Sequence, residues 1–140
     1  MSDILNFHFL VDGEDFTSAG QASVQVKKNL RQLGLPPEII RRVSIAMYEG
    51  EINMVIHGGG GVIDAEITPD CISIILADQG PGIPDIALAM QEGYSTAPEN
   101  VRQLGFGAGM GLPNMKRYTD DMRIESALGV GTTIYMTVRT

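Results

Sequence analysis

Two apolar rhythms alternate along this chain, and their order limits its fold more than any single motif does. Residues 4 to 11, Ile-Leu-Asn-Phe-His-Phe-Leu-Val, are aromatic and branched and read as a strand ended by Asp12-Gly13. From about Asp15 to Leu33, residues Phe16, Ala19, Ala22, Val26 and Leu30 recur at helical spacing, with Gly34 as the stop. Pro36-Pro37 opens a second helix in which Ile39, Ile40, Val43, Ala46, Met47, Met54 and Val55 give a broad apolar surface, so that this helix is expected to be largely buried. After a glycine stop at Gly58–Gly61, residues 62 to 68 alternate and residues 71 to 77 are continuously apolar, two strands joined at Pro69-Asp70. Residues 85 to 91 fit a short helix, Pro113 to Tyr118 another, and residues 121 to 126 and 131 to 138 two final strands around Leu128–Gly131. Strand, helix, helix, strand, strand, helix, strand, strand describes an α/β two-layer sandwich, a mixed and mostly antiparallel sheet covered on one face by helices.

A length of 140 residues suits one domain spanning 1–140. Tryptophan is absent and aromatics are few, so the core rests on Ile, Val, Leu and Met. No apolar stretch approaches the roughly 20 residues that cross a bilayer, and Met1-Ser2-Asp3 lacks a basic leader, so a cytoplasmic protein without membrane attachment is expected. Cys71, the single cysteine, is expected to be a buried, inert thiol. A net charge of −7 argues against general nucleic-acid binding, which needs a basic footprint, and favours a protein partner.

Chemistry concentrates at three places. Glu49 and Asn53 stand four apart on the second helix and therefore share a face, with His57 continuing the line. A carboxylate beside a carboxamide oxygen is usable around a magnesium–triphosphate group: the amide oxygen is a hard ligand for Mg²⁺, and the acid can orient or deprotonate an attacking group. The plainer alternative is that Glu49, like Glu51, is a solvated helix acid. Asp78 ends an apolar strand before Gln79-Gly80-Pro81-Gly82-Ile83, where its carboxylate can accept a hydrogen bond from an adenine amino group or simply cap its own turn. Gly105-Phe-Gly107-Ala-Gly109-Met110-Gly111-Leu112 places glycine at every second position, a pattern unable to pack a core and suited to backbone N–H groups cradling a phosphate at a helix start. Neither a P-loop nor a dinucleotide fingerprint fits it. The long polar stretch 92–109 reads as a lid.

In order and spacing, Glu49-Gly-Glu-Ile-Asn53, Asp78-Gln-Gly-Pro-Gly82, Gly105–Gly111 and Gly129-Val-Gly-Thr132 resemble the N box, the G1 and G2 boxes and the terminal Gly-x-Gly-Thr element of the GHKL ATPases. That resemblance implies the Bergerat sandwich fold with ATP and Mg²⁺ bound. It makes Glu49 the general base, Asn53 the metal ligand, Asp78 the adenine reader and Thr132 its hydroxyl-bearing neighbour. The remaining nucleotide contacts would come from His57, Gly80, Gly82, Ile83, Arg102, Gly105, Gly107, Gly109, Met110, Gly111 and Leu112, with Arg102 directed at the γ-phosphate.

Within that superfamily the chain is most similar to the small bacterial serine-protein kinases of the RsbW, SpoIIAB and RsbT type. Ile56-His57-Gly58, Gly93-Tyr94-Ser95-Thr96 and Pro113-Asn-Met-Lys-Arg117 carry the likeness, which leans to the RsbT-like branch. Gly50 departs from the family's usual side chain and should loosen the helix by up to about 1 kcal/mol relative to alanine. The implied activity is phosphorylation of a serine on a small partner of the anti-sigma-antagonist kind, with a sigma factor or phosphatase as further partners and a homodimer as an open possibility. Two other readings use the same pocket: a nucleotide-gated binding module with little turnover, and a detached histidine-kinase ATP domain, which the missing phosphoacceptor helix disfavours.

Overall fold

The computed structural model describes residues 4–13, 20–56, 59–80, 82, 90 and 111–140. In chain order the elements are β1 (Leu5–Asp12), α1 (Gln21–Gln32), α2 (Pro37–Ile56), β2 (Gly60–Ile67), β3 (Cys71–Asp78), α3 (Gly111–Arg117), β4 (Asp121–Ala127) and β5 (Gly131–Arg139). The strands form one sheet in the order β1-β2-β3-β5-β4. Each described pairing is antiparallel, so the sheet expected to be mixed holds no parallel pair among the described residues. Hairpins make this the natural outcome for β2–β3, where Thr68 N–H donates to Cys71 O at 2.9 Å across the Pro69-Asp70 turn, and for β4–β5.

Strand alternation sends Ile63, Ala65 and Ile67 of β2, Ile72, Ile74 and Leu76 of β3, and Ile134, Met136 and Val138 of β5 to one face, where all are buried beneath the helices. Among the described residues no helix covers the opposite face. Cys71 stands at an open-face position and is only partly buried, which corrects the expectation of a buried thiol. Helix α2 is the centre of the second layer, buried at Ile40, Val43, Ala46, Met47, Ile52, Met54 and Val55. Arg42 ties its first half to the sheet through Asp120 at 3.1 Å and the Tyr118 carbonyl at 3.2 Å. Among the described residues no helix is long and apolar enough to cross a membrane.

Two boundaries differ from the sequence reading for local reasons. Gly20 has φ 101, a left-handed conformation that no right-handed helix continues through, so α1 begins at Gln21 rather than near Asp15. Phe16 and Ala19, counted toward that helix, lie outside the described residues. Gly60 and Gly61 are not a stop but the first rungs of β2, pairing with Asp12 and Val11. A Cβ on Gly60 would fall 2.4 Å from Val11 O, so only glycine allows that approach.

Two α2 residues that sequence reading treated as neutral or costly hold the helix layer together. Glu51 is 3% exposed, and its Oε2 and Oε1 accept the Ala22 and Ser23 N–H groups at 3.2 and 3.1 Å. It is therefore no solvated acid. It caps α1 from the neighbouring helix, where Gly20 offers no side-chain cap of its own. Gly50 faces the sheet, and a Cβ there would lie 2.6 Å from Leu76 Cδ2 and 3.1 Å from Met115 Cε. The departure from a usual side chain is thus what lets α2 rest directly on β3. Glu51→Ala should lower unfolding free energy by about 2 kcal/mol, since two buried N–H groups lose their acceptor. Gly50→Ala should also destabilise, because overpacking costs about 1–3 kcal/mol against less than about 1 kcal/mol gained in helix propensity. Urea titration checks both, and a more stable Gly50→Ala protein would contradict the packing account.

Candidate functional site

Glu49 and Asn53 project from α2 one turn apart, and both are partly buried. The Gly50 contact with Leu76 sets their position along the sheet. Four residues on, Met54 extends over the start of β2, where a Cβ on Gly61 would fall 2.8 Å from Met54 Cε. Gly61 pairs with Asp78, so this stretch of α2 lies above the end of β3 at which Asp78 stands.

Glu49 meets α3 on its other side. Burial pushes its carboxyl above the ordinary carboxylate range, while a hydrogen bond from the Asn114 side chain works in the opposite direction without cancelling the shift. Gly111, the first residue of α3, comes close enough that a Cβ on it would be 3.7 Å from Glu49 Oε2. A half-buried carboxyl with a raised proton affinity, held by an amide, is suited to taking a proton from a hydroxyl.

Asp78 is built into a row that crosses the sheet on the helix-facing side. Its Oδ1 accepts the Gly80 N–H at 3.0 Å and the Thr132 N–H at 3.1 Å. The turn-capping and site readings of this residue are therefore compatible. One oxygen fixes the turn and locks β3 to β5 while the residue remains partly exposed. Thr132 is 6% exposed, and its hydroxyl lies 2.9 Å from that of Ser126, its partner on β4.

The surrounding glycines serve this corner. Gly131 has φ 145 and packs so closely on the Asp78 carbonyl that a Cβ would be 2.2 Å from the oxygen. Gly82 has φ 84 and would clash at 2.6 Å with Ala127 O. The Gly129-Val-Gly131-Thr132 element is thus a turn shaped to bring the Thr132 N–H onto Asp78.

Of the residues singled out from sequence, Glu49 and Asn53 with Gly111 form one cluster, and Asp78, Gly80, Gly82 and Thr132 form the other. Leu112 is buried in the hydrophobic core. His57, Ile83, Arg102, Gly105, Gly107, Gly109 and Met110, with the lid stretch 92–109 and the short helix at 85–91 except Met90, lie outside the described residues. Sequence reasoning missed Asn114, Ser126 and Glu51 as members of this machinery. Ser126 carries a faint signal, a hydroxyl on the inward alternation of a strand otherwise facing Met122 and Ile124 to the helices. A cleft of about 860 Å³ runs past the start of β2 and the end of β3, lined by Val62, Ala77 and Thr133 of the open face together with Gly61, Asp78 and Ser126 of the helix-facing row. It adjoins the Asp78 cluster, and neither Glu49 nor Asn53 lines it.

Residues 14–138 match the family model of the histidine kinase-like ATPase domain. The serine/threonine-protein kinase RsbT of Bacillus subtilis (strain 168) is 36% identical over 118 residues, which cover 81% of this chain and 83% of that protein. The anti-sigma F factor of Bacillus licheniformis is 30% identical over 145 residues, covering 98% and 92% of the two chains. A solved structure of the RsbU and RsbW domains of a Mycobacterium tuberculosis protein superposes with a TM-score of 0.65 at 19% identity. That likeness is one of fold, and it takes in 96% of this chain and 32% of the longer one. Motif order, sheet topology and these matches agree, and the chain belongs to the histidine kinase-like ATPase family, beside its regulatory serine-kinase and anti-sigma members.

Proposed function

We propose that this chain is an ATP- and magnesium-dependent serine-protein kinase that acts as a regulatory switch on a small protein of the anti-sigma-antagonist kind. The observation that carries this reading is the Glu49 carboxyl, half-buried, raised in proton affinity and held by Asn114, one turn from Asn53 on α2. Relatives named a serine/threonine-protein kinase and an anti-sigma F factor support it. A sigma factor, a phosphatase and a second copy of the chain are the further partners we propose, with the cytoplasm as the compartment.

In this mechanism Asp78 and Thr132 receive the adenine, while Asn53 and Gly111 at the start of α3 lie toward the phosphates. Mg²⁺ is ordinarily held by one or two protein oxygens together with substrate phosphates, and the Asn53 carboxamide oxygen is a donor of the right hardness; bound there, the ion would offset phosphate charge. Glu49 accepts the proton of the partner's serine hydroxyl as that oxygen bonds to the γ-phosphorus and the bond to the ADP oxygen breaks. Positioning and electrostatics supply most of the acceleration in such transfers, so the fixed placement of α2 over β3 matters as much as the base.

Incubation with labelled ATP and magnesium against candidate antagonist proteins tests the activity, with phosphoserine on one of them expected. ATP-dependent capture of such a protein without phosphate transfer would replace the kinase by a nucleotide-gated binding module. Glu49→Ala should retain ATP affinity and lose about 10²–10⁴-fold in single-turnover transfer. Equal rates would remove Glu49 as the base.

Asn53→Ala should weaken ATP binding in magnesium far more than in EDTA. Equal losses would make Asn53 a structural residue.

The raised Glu49 proton affinity also sets a stability signature. The folded state holds this proton at pH values where the unfolded state has lost it, so stability falls as pH rises from the ordinary carboxylate range through the raised pKa. Glu49→Gln, which carries no charge to bury, should therefore have the higher melting temperature at neutral pH, with the gap closing as the pH is lowered to 4. A gap independent of pH would contradict the assignment.

A further inference from the structure

Asn114 stands three positions after Gly111 in α3, so the two share the face of that helix turned toward Glu49. A Cβ on Gly111 would lie 3.7 Å from Glu49 Oε2, and the Asn114 side chain gives Glu49 its hydrogen bond. α3 is itself fastened to α2. Met115 is fully buried, its Cε 3.1 Å from the Cβ that Gly50 would carry. Tyr118 N–H donates to Asn114 O at 3.1 Å, and the Tyr118 carbonyl accepts from Arg42 Nε at 3.2 Å. Asn114 therefore rides on an element packed against the helix that carries Glu49. Among the described residues no charged side chain shares the contact. β3 meets α2 here with Leu76, Tyr48 packs on Gly20, Glu51 is bound to Ala22 and Ser23 of α1, and the α3 cations Lys116 and Arg117 are exposed. Burial and the Asn114 hydrogen bond are the two influences on the Glu49 carboxyl.

We propose that Asn114 is a positioning residue for phosphoryl transfer: from α3 its amide holds the Glu49 carboxylate in place to take the proton of the attacking hydroxyl. The proposal rests on the reading of Glu49 as the base. A glutamate side chain is rich in rotamers, and a base is useful only within hydrogen-bond reach of the proton it abstracts. A hydrogen bond from the neighbouring helix removes that freedom before substrate arrives. The chemistry favours an amide here over a cation. An N–H donor stabilises the ionised carboxylate and still leaves its proton affinity above the ordinary range, whereas a lysine or arginine would form an ion pair and weaken the base. A side chain with no donor would leave burial unopposed and favour the protonated, inactive acid. In the transfer step the serine oxygen bonds to the γ-phosphorus, the bond to the ADP oxygen breaks and the hydroxyl proton passes to Glu49. Asn114 gives and takes no proton.

Side-chain carboxyl carbon shifts of the full chain, followed through a pH titration, read the ionisation of Glu49 directly, its signal assigned by its loss in Glu49→Gln. Asn114→Leu, close in size and without a donor, should move the Glu49 midpoint to higher pH. Asn114→Asp, which sets a second carboxylate beside the first, should move it the same way. Single-turnover transfer to the protein that accepts label from ATP should follow the titration. Asn114→Leu should be slower by about tenfold or more at the acid end of the profile, the worth of a hydrogen bond to a charged group, and the rates should converge once Glu49 is ionised in both proteins. A rate lowered by one factor at every pH would mark Asn114 as structural and overturn the proposal. An unmoved Glu49 midpoint in both folded variants would overturn it too, whether or not the chain transfers phosphate. A midpoint that moves while transfer is absent, or while its pH profile stays put, would instead remove Glu49 as the base, and the proposal with it.

Discussion

The site depends on one close approach, the contact of Gly50 with Leu76. With no side chain between them, α2 lies on β3 at a distance that any Cβ would increase, and the residues flanking Gly50 inherit their position from that contact. Glu49 is brought against α3 on one side and Glu51 against α1 on the other, since residues two apart on a helix point in nearly opposite directions. One stretch of α2 therefore presents a proton acceptor to the site with Glu49 and fastens the helix layer with Glu51. The helix-propensity cost of glycine, about 1 kcal/mol, is small beside the overpacking a larger residue would cause.

The second cluster follows from sheet register. Antiparallel pairing sets Gly61 beside Asp78 and Thr132 beside Ser126, and the Thr132 N–H bond to the Asp78 carboxylate joins the two pairs where the β3–β5 ladder ends. Asp78 serves as the fixed point of that row because a single oxygen accepts N–H groups from its own turn and from the adjacent strand. Substitution by asparagine keeps an oxygen for those bonds and alters the other end of the side chain, whereas alanine would release β5 from the turn. This is why the conservative change reports on binding and the larger one would report on folding.

How much of this was legible beforehand varied with the reach of the interactions. Element order could be read because periodicity is local, and four ordered motifs located Glu49, Asn53, Asp78 and Thr132 because each carries its own residue pattern. The start of α1 was misread because Gly20 looks like any helix glycine until its φ is known. Glu51 was read as a solvated acid because its partners, Ala22 and Ser23, lie nearly 30 residues upstream and are reached only through helix packing. Ser126 was passed over for a similar reason: its pairing with Thr132 depends on the β4–β5 register, and a serine in a strand signals nothing by itself. Gly50 looked like a defect in sequence and proved to be a packing requirement. Interactions within about one helical turn or one strand turn were readable, and those between layers were not.

Nucleotide is expected to enter on the helix side, between α2 and the Asp78 row, and to leave the opposite face of the sheet alone. Backbone amide chemical shifts recorded as ATP and magnesium are titrated into the protein measure this directly. The expected result is that Gly50, Asn53, Gly80, Gly111 and Thr132 shift together along one saturable curve, while Glu66, Ser73 and Thr137 on the open face hold still. Shifts confined to open-face residues such as Val62, Ala77 and Thr133, with Asn53 and Gly111 unmoved, would contradict it.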